Sequence, residues 1–257
     1  MCNLHCKSDV KFLLKKNKIT HISGRGELKS KSEILVTSSD GKQKTISAKN
    51  IIIATGARPK YFPGMKPNGK RIITSKEAMI LEEKPKSMVV IGAGAIGIEF
   101  AHFYNSYGTE VTIIEALPQI LPTEDKEVAD ELSKIFKKRG MNILTETFVD
   151  SVKDRGKSVE VKLKSGERIN ADYALVAVGV QSNIENLGLE KVGVKTEKGS
   201  ISVNEFLQTN VKNIYAIGDV AGPPMLAHKA SEEGIIAVEN IANKNPTPMT
   251  YDNIPGC

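Results

Sequence analysis

Three glycines stand where a backbone could bind a diphosphate. Gly92, Gly94 and Gly97 come directly after the apolar run from Met88 to Ile91, and a helical pattern follows them. In such a strand–turn–helix the first glycine permits a tight turn, the second lets the backbone approach a pyrophosphate, and the third lets the helix pack closely on its strand. The N–H groups and dipole at the helix N-terminus favour anions. The residues expected to line this dinucleotide site are Gly92, Ala93, Gly94, Ala95, Ile96 and Gly97.

A glutamate completes the pattern. The second apolar run ends at Glu115, near the spacing of about 20 residues at which such folds place an acid that binds the ribose. Its carboxylate can accept hydrogen bonds from both ribose hydroxyls and would repel a 2′-phosphate, and residues 116–119 contain no Arg or Lys. We therefore expect NAD rather than NADP. The alternative, a glycine-rich turn in an ordinary βαβ unit, leaves the position of Glu115 unexplained.

Composition limits the class of protein. The chain has 257 residues, of which 40% are hydrophobic and 26% charged, as expected for a soluble globular protein with room for two domains. No apolar run approaches the roughly 20 residues of a membrane span, and no signal peptide is evident. The net charge of +6 comes from scattered lysines rather than from a basic stripe interleaved with aromatic residues, so a nucleic-acid partner is not expected.

The cysteines do not indicate a disulfide framework or a metal site. Cys2, Cys6 and Cys257 are odd in number and lie at the ends of the chain, which favours a reducing compartment. Cys2, His5 and Cys6 lack a second cluster of ligands that would complete a metal site. We therefore expect no metal.

The elements around these residues follow from hydrophobic periodicity. A strand is expected at Ile19–Ser23 and a hairpin at residues 33–47, before a buried strand that ends at Gly56. From about residue 85 a βαβ pattern begins. Its first helix ends at Gly108, and its second is expected to begin near Asp125, as the N-cap, and to end at Gly140. The side chains expected to face a core from these two helices are Ile96, Phe100, Tyr104 and Tyr107, and Val128, Leu132, Ile135 and Phe136. A last helix is expected at Leu226–Ala242.

Three segments are typical of contacts to a second nucleotide. The run Ile214–Asp219 is a buried strand ending in Gly-Asp, where a carboxylate can accept hydrogen bonds from polyol hydroxyls. The run Gly222–Lys229 leads into a helix whose N-terminal dipole would stabilise negative charge on a reduced ring. The third segment, Ala54-Thr55-Gly56, ends a strand.

Five motifs resemble those of the pyridine nucleotide–disulfide oxidoreductases, and within that family its dihydrolipoamide dehydrogenase members. They occur in family order along essentially the whole chain. The motifs are IIIATGARP at 51–59, VIGAGAIGIEF at 90–100, AVGVQSN at 177–183, IYAIGDV at 214–220 and MLAHKASEEG at 225–234. Many family members carry Arg-x-Pro after the glycine of the third motif, whereas this chain has Val180-Gln181-Ser182, as some dihydrolipoamide dehydrogenases do.

The resemblance implies an α/β, three-layer, Rossmann-like FAD/NAD(P)-binding fold in which an NAD domain is inserted in a partial FAD domain. By that reading, residues 1–83 and 181–250 belong to the FAD-binding domain and residues 84–180 to the NAD-binding domain. Residues 251–257 would open a dimerisation domain.

The resemblance also implies site residues. Those expected at NAD, besides the glycine turn, are Glu99, Glu115, Val149 and Gly179. Those expected at FAD are Gly26, Ala54, Thr55, Gly56, Asp219, Met225, Leu226, Ala227 and His228. Asp219 would bind the ribityl chain, and Met225–His228 would meet the flavin ring mainly through backbone N–H groups. Glu99 would pair with a lysine beside the flavin.

The implied activity is oxidation of a dihydrolipoyl group with NAD⁺ by way of FAD and a redox disulfide. The partners would be the lipoyl-bearing subunit of a 2-oxoacid dehydrogenase or glycine cleavage complex and a second copy of the chain, in bacterial cytoplasm or mitochondrial matrix. The family's Cys-x4-Cys segment and its His–Glu pair are absent, so these 257 residues are expected to be the central portion of such an enzyme, without lipoamide turnover of their own. The alternatives are a glutathione-type or mercuric reductase of the same family, and a non-catalytic NAD-binding module.

Overall fold

The computed structural model describes residues 10–255, which divide between two compact units. One unit, called here the inserted unit, is Ala57–Gln181. The other, called the interrupted unit, comprises the residues up to Gly56 and those from Ser182 onward. The chain therefore leaves one unit, builds the other and returns.

These bounds differ from those expected for the nucleotide-binding domains. The inserted unit starts at Ala57 instead of residue 84, because the short strand Ile72–Ile73 pairs in parallel with Tyr173–Val176 and so becomes part of the inserted sheet. At the other end the unit stops at Gln181, one residue from the expected boundary. Which nucleotide each unit binds remains a prediction.

A five-stranded parallel sheet is the centre of the inserted unit. Its strands, in spatial order, are Ile72–Ile73, Tyr173–Val176, Ser87–Ile91, Glu110–Ile114 and Asn142–Leu144. The helices Ala95–Ser106 and Lys126–Lys138 follow the third and fourth of these. Val90, Ile113 and Leu175 are fully buried between neighbouring layers, as expected for a sheet covered on both faces.

An antiparallel sheet forms a further layer of the inserted unit. Its strands are Val149–Asp154, Val159–Leu163 and Arg168–Ala171. Val159 and Val161 are fully buried and cluster with Val89 and Ile114 of the parallel sheet. Helices, parallel sheet and antiparallel sheet together give the three-layer α/β fold that the motifs predicted.

The first helix of this unit packs through small residues. The residues it buries are Gly97, Ile98, Ala101 and Tyr104. Tyr104 was expected in the core and lies there, but Tyr107 is 65% exposed and Ile96 is 36% exposed, so the predicted inward face was wrong at both ends. Glycine and alanine let the helix axis approach the sheet closely, and that approach selects the buried face.

The second helix begins as predicted. The Asp125 side chain caps it by accepting a hydrogen bond from the Glu127 N–H at 2.8 Å, and its C-terminal end precedes Gly140, whose φ is +83°. Phe136 is buried, whereas Val128 is 59% exposed and Ile135 41% exposed. The expected core positions of these last two residues are wrong, because the small residue Ala129 makes the contact instead.

The interrupted unit contains a parallel strand pair, a three-stranded sheet and a long helix. The strands Ile51–Ile53 and Ile214–Ala216 pair in parallel, and the helix is Ala227–Ile241. The antiparallel sheet is Arg25–Ser30, Glu33–Thr37 and Gln43–Ser47, which confirms the hairpin. The expected strand Ile19–Ser23 is wrong, because ladder bonding to the hairpin starts only at Arg25.

Short elements complete both units. A helical segment covers residues 10–16. The others are the helices Ser75–Ala78 and Leu189–Val192, the 3₁₀ turns Gly218–Ala221 and Tyr251–Asn253, and the strands Ala57–Pro59, Val180–Ser182, Thr196–Glu197 and Ser200–Ile201. Over residues 10–255, no helix combines the length and the hydropathy that crossing a bilayer would require.

Candidate nucleotide-binding sites

The glycine turn of the inserted unit follows the central strand of its parallel sheet. Gly92 has φ +99°, and its N–H donates to the Ile114 carbonyl at 2.8 Å. A Cβ at this position would lie 2.4 Å from the Ala177 carbonyl oxygen. Glycine is therefore required here by the backbone conformation and by the neighbouring strand end.

The other two glycines differ in what surrounds them. A Cβ on Gly97 would lie 2.0 Å from the Gly92 carbonyl oxygen, whereas a Cβ on Gly94 would meet nothing within 4 Å. Gly94 has φ −72°, which any residue can adopt, so packing does not explain it. It is the N-cap of Ala95–Ser106 and makes no side-chain hydrogen bond there, so that open space lies before a helix start rich in N–H donors. This arrangement fits a diphosphate.

Glu115 is tied directly to that turn. It is 8% exposed, and its Oε2 accepts a hydrogen bond from the Ala93 N–H at 2.7 Å. Its Oε1 accepts one from the Leu117 N–H at 2.9 Å. Each carboxylate oxygen can accept about two hydrogen bonds, so both retain capacity for a ribose hydroxyl. The residues present therefore fit an adenosine dinucleotide.

Sheet topology brings several predicted residues to one edge. Gly92, Glu115 and Gly179 each follow a strand of the parallel sheet, and the carboxyl ends of parallel strands meet at the same edge. Gly179 is exposed and its carbonyl accepts from the Lys60 N–H at 2.9 Å. The Thr147 N–H donates to the Glu115 carbonyl at 2.9 Å. The segment that leads from Thr147 to Val149 therefore begins beside Glu115.

The remaining predicted residues of this turn lie on the first helix. Ala95 and Ile96 are in its first turn, and Glu99 is one turn further along. All three are exposed. Leu121, which the sequence did not indicate, also contacts the turn, since its N–H donates to the Ala93 carbonyl at 2.7 Å. This contact is a backbone hydrogen bond, so the type of side chain at position 121 gave no signal for it.

A second candidate site lies in the interrupted unit, where its two parallel strands end. The segment Ala54–Gly56 follows one strand and Asp219 follows the other, and the Ile217 N–H donates to the Ile53 carbonyl at 3.0 Å. The Thr55 hydroxyl donates to the Asn183 carbonyl at 2.8 Å. The structure thus brings Ala54, Thr55, Gly56 and Asp219 to one edge.

Asp219 has the properties expected of a ligand-binding carboxylate. It is partly buried, and no donor within residues 10–255 is hydrogen-bonded to its carboxylate. Its main-chain carbonyl accepts a hydrogen bond from the Ser182 hydroxyl at 2.7 Å. A fixed backbone with an acceptor side chain fits a polyol such as the ribityl chain of FAD.

The predicted flavin-ring segment coincides with a helix start. Met225 and Leu226 are partly buried, while Ala227 and His228 are exposed. Leu226 is the N-cap of Ala227–Ile241 and makes no side-chain cap hydrogen bond. The first-turn N–H groups therefore lack a side-chain acceptor at the cap, as a backbone contact to a ligand requires.

Gly26 is placed differently. It is exposed and lies in the strand Arg25–Ser30, opposite Val36 in the antiparallel sheet. The structure therefore puts it in a different sheet from the strands that precede Ala54 and Asp219, and its role at FAD stays a prediction. Cys2, His5 and Cys6 lie outside the described residues, and residues 10–255 contain no cluster of three metal-ligating side chains.

Two buried charged residues in the interrupted unit were not predicted from the sequence. Lys229 is 1% exposed and Glu233 is 0% exposed. Both belong to the motif at 225–234, and their separation by one helical turn could have indicated a pair facing inward.

Comparison with known proteins places these features in a family. The family model described as pyridine nucleotide-disulphide oxidoreductase matches residues 4–234. A curated relative from Zymomonas mobilis, named dihydrolipoyl dehydrogenase, is 48% identical over 97% of this chain and 55% of its own length. One from Chlorobaculum tepidum with the same name is 45% identical over 99% of this chain and 55% of its own. The chain thus spans about half the length of the curated relatives it matches.

Solved structures show the same architecture. LpdA from Mycobacterium tuberculosis superposes with a TM-score of 0.88 at 30% identity, covering 95% of this chain and 55% of that one. The flavoprotein disulfide reductase RclA from Escherichia coli superposes with a TM-score of 0.84 at 27% identity, covering 93% and 56%. Together with the family match, these findings show that the chain belongs to the pyridine nucleotide-disulphide oxidoreductase family.

Proposed function

We propose that this chain supplies the NAD site and part of the FAD site of a dihydrolipoyl dehydrogenase. The inserted unit would bind NAD and the interrupted unit FAD. The observation that carries the proposal is the hydrogen bond between Glu115 and the Ala93 N–H, because it sets an acid against a turn with open space at Gly94. The name shared by the curated relatives supports the choice of enzyme.

The residues of this chain bind the two nucleotides and orient them. The backbone of Gly92–Gly97 and the helix after it hold a diphosphate, and Glu115 accepts hydrogen bonds from ribose hydroxyls. In the interrupted unit, Asp219 accepts from the ribityl hydroxyls, and the start of Ala227–Ile241 stabilises negative charge through its dipole. Bound FAD supplies the hydride chemistry. Glu99 is proposed to orient a lysine on the flavin side.

The activity of the whole protein is part of the proposal. It oxidises a dihydrolipoyl group carried by a subunit of a 2-oxoacid dehydrogenase or glycine cleavage complex. FAD, held by Asp219 and the start of Ala227–Ile241, would supply the electron transfer between the dithiol and NAD⁺, which Gly92–Gly97 and Glu115 would hold. The working form is a homodimer in a reducing compartment, bacterial cytoplasm or mitochondrial matrix.

A titration tests the cofactor assignment. The purified chain is titrated with NADH and with NADPH while nucleotide fluorescence is followed, and its visible spectrum is recorded after mixing with FAD and desalting. We expect NADH to bind more tightly than NADPH, and only weak flavin absorbance to remain with the protein, because these residues form only part of the FAD site. A preference for NADPH would defeat the assignment to dihydrolipoyl dehydrogenase.

A second candidate is another disulfide reductase of the same family, which the superposition on RclA supports. Reductases of the glutathione type mostly use NADPH and would need a cation where Glu115 stands. The same titration separates a glutathione-type reductase from a dihydrolipoyl dehydrogenase, since the former predicts tighter binding of NADPH.

A further inference from the structure

Two buried charges in the interrupted unit form an ion pair. Lys229 and Glu233 lie one turn apart on the helix Ala227–Ile241, with 1% and 0% of their side chains exposed, and Lys229 Nζ lies 3.2 Å from Glu233 Oε1. A buried ion pair is weak evidence for stability, because an apolar pair of similar volume often stabilises a fold as well or better. The contacts that the two side chains make outside the pair therefore have to be considered.

Both side chains reach the same backbone turn. Glu233 Oε2 accepts a hydrogen bond from the Gly218 N–H at 2.6 Å. Lys229 Nζ donates to the carbonyl of Gly218 at 3.2 Å and to that of Gly222 at 2.9 Å. Charge-assisted hydrogen bonds therefore hold the N–H and the C=O of one residue, and they are stronger than neutral ones.

Tyr251 completes this arrangement from the other end of the unit's sequence. Its hydroxyl donates to Glu233 Oε1 at 2.8 Å. Partial burial and the hydrogen bond to Glu233 raise the pKa of the Tyr251 hydroxyl, so it remains a donor at neutral pH. Across residues 10–255 no buried side-chain N or O atom lacks a partner, so the network is fully satisfied.

The residue after Gly218 is Asp219. Gly218 is buried with φ +73°, a conformation that glycine adopts readily, and a Cβ there would lie 3.4 Å from the Cβ of Ala230 on the helix. The turn is thus supported by the helix while the Asp219 carboxylate keeps its acceptor capacity.

We propose that Lys229, Glu233 and Tyr251 are positioning residues that fix the Gly218–Asp219 turn and thereby set the affinity of Asp219 for the ribityl hydroxyls of FAD. The inference rests on the proposed function, because it takes FAD as the ligand of this unit. A purely structural ion pair would hold the helix together. Here the contacts of both charges run from the helix to the turn that carries the ligand-binding carboxylate.

A double-mutant cycle with FAD tests the coupling. The dissociation constant of FAD is measured by flavin fluorescence quenching for the wild-type chain, Tyr251→Phe, Glu233→Gln and the matched control Glu232→Gln, an exposed neighbour on the same helix. Each is also measured in an Asp219→Asn background. We expect Glu233→Gln to weaken FAD binding by about tenfold, Tyr251→Phe by less, and Glu232→Gln not at all. In the Asp219→Asn background, the Glu233 and Tyr251 effects should largely vanish.

A second variant separates positioning from folding. Lys229→Met with Glu233→Met replaces the ion pair by apolar side chains, which by itself is often neutral for stability, but it also removes the acceptor of the buried Gly218 N–H, so the melting temperature should fall moderately. FAD binding is therefore compared at a temperature at which circular dichroism shows both chains to be folded. The variant should weaken FAD binding at that temperature. Hydrogen exchange of the Gly218 amide in the FAD-free chain should speed up in this variant and not in Glu232→Gln, because the amide loses its acceptor.

The outcomes distinguish the positioning role of Lys229, Glu233 and Tyr251 from the proposed binding of FAD. If the wild-type chain bound FAD and the effects of the Glu233 and Asp219 substitutions on FAD affinity were additive, the positioning role would be wrong, while the assignment of the FAD site would be unaffected. Unchanged Gly218 exchange in the double-methionine variant would also overturn the positioning role. If the wild-type chain bound no FAD, the flavin assignment and the inference would fall together.

Discussion

Glu115 Oε2 accepts a hydrogen bond from the Ala93 N–H at 2.7 Å, which joins the end of one strand of the inserted unit to the turn after its neighbour. Ala93 is fully buried, so its N–H has no access to solvent and depends on this carboxylate. One side chain therefore supports the turn and carries the charge that would select NAD. Substitutions at Glu115 should affect stability and nucleotide preference in separable ways.

Glu115→Ala should destabilise the inserted unit and weaken NADH binding. The buried Ala93 N–H loses its acceptor, which costs about 1–3 kcal/mol, and the ribose loses its acceptor as well. Thermal melting and an NADH titration measure the two effects. Glu110→Gln, on an exposed residue of the same strand, is the control and should change neither. Wild-type melting and affinity in the alanine variant would contradict the assigned role.

Glu115→Gln should narrow the preference for NADH over NADPH. The amide keeps one acceptor oxygen, so the loss of stability should be smaller than with alanine, while the charge that repels a 2′-phosphate is gone. The ratio of the two dissociation constants is the measurement. An unchanged ratio would show that Glu115 does not discriminate between the nucleotides.

Gly94→Ala and Gly97→Ala should have different effects, the first on NADH binding and the second on stability. A methyl group on Gly97 would collide with the Gly92 carbonyl, so that variant should lose about 1–3 kcal/mol of stability. A methyl group on Gly94 meets nothing within 4 Å, so its melting temperature should stay near wild type while NADH binding weakens by about tenfold or more. Full NADH affinity in a well-folded Gly94→Ala chain would argue against a diphosphate at this turn.

Asp219→Asn should weaken FAD binding and leave NADH binding unchanged, because Asp219 and the glycine turn proposed to bind NAD belong to different compact units. A hydrogen bond to a charged acceptor contributes about 1.5–3 kcal/mol, equivalent to about ten- to a hundredfold in affinity. Asp252→Asn, on an exposed residue of the same unit, serves as the control. Equal loss of both nucleotides would indicate general unfolding instead.

Ionised Glu160 should contribute to the free energy of unfolding, and this contribution should be lost at acidic pH. The hydrogen bond from Arg155 at 2.9 Å and a second from Arg168 at 3.0 Å lower the pKa of Glu160 below its ordinary value of 4.5. The unfolded chain therefore takes up this proton first as the pH falls. The contribution is fully present above pH 4.5 and disappears as the pH falls through the lower, folded value.

Urea unfolding at neutral pH and at about pH 3 checks this dependence. The difference in unfolding free energy between the wild type and Glu160→Gln should be present at neutral pH and shrink in acid. Glu167→Gln, on an exposed carboxylate beside the same hairpin, should show no such change. A difference that is independent of pH would contradict the assignment of the lowered pKa to the folded state.

Local sequence was sufficient for the features that depend on neighbouring residues. The glycine turn, the Asp125 cap and the two helices of the inserted unit follow from periodicity and from conformations that particular residues prefer. The strand at Ile19–Ser23 failed because a strand needs a partner, and pairing begins only at Arg25. The exposed Tyr107 and Val128 failed because apolarity alone does not identify the face that packs.

What the sequence by itself determined is therefore the family, the βαβ pattern from about residue 85 to Gly140 and the candidate residues at the ends of predicted strands. Only the tertiary structure decided that Glu115 bonds to Ala93 and that Lys229 and Glu233 reach Gly218 from the interior of their unit. Hydrogen bonds within a turn or helix involve residues close in the chain. The contact between Glu115 and Ala93 joins residues 22 positions apart, so it exists only once the sheet has brought its strands side by side.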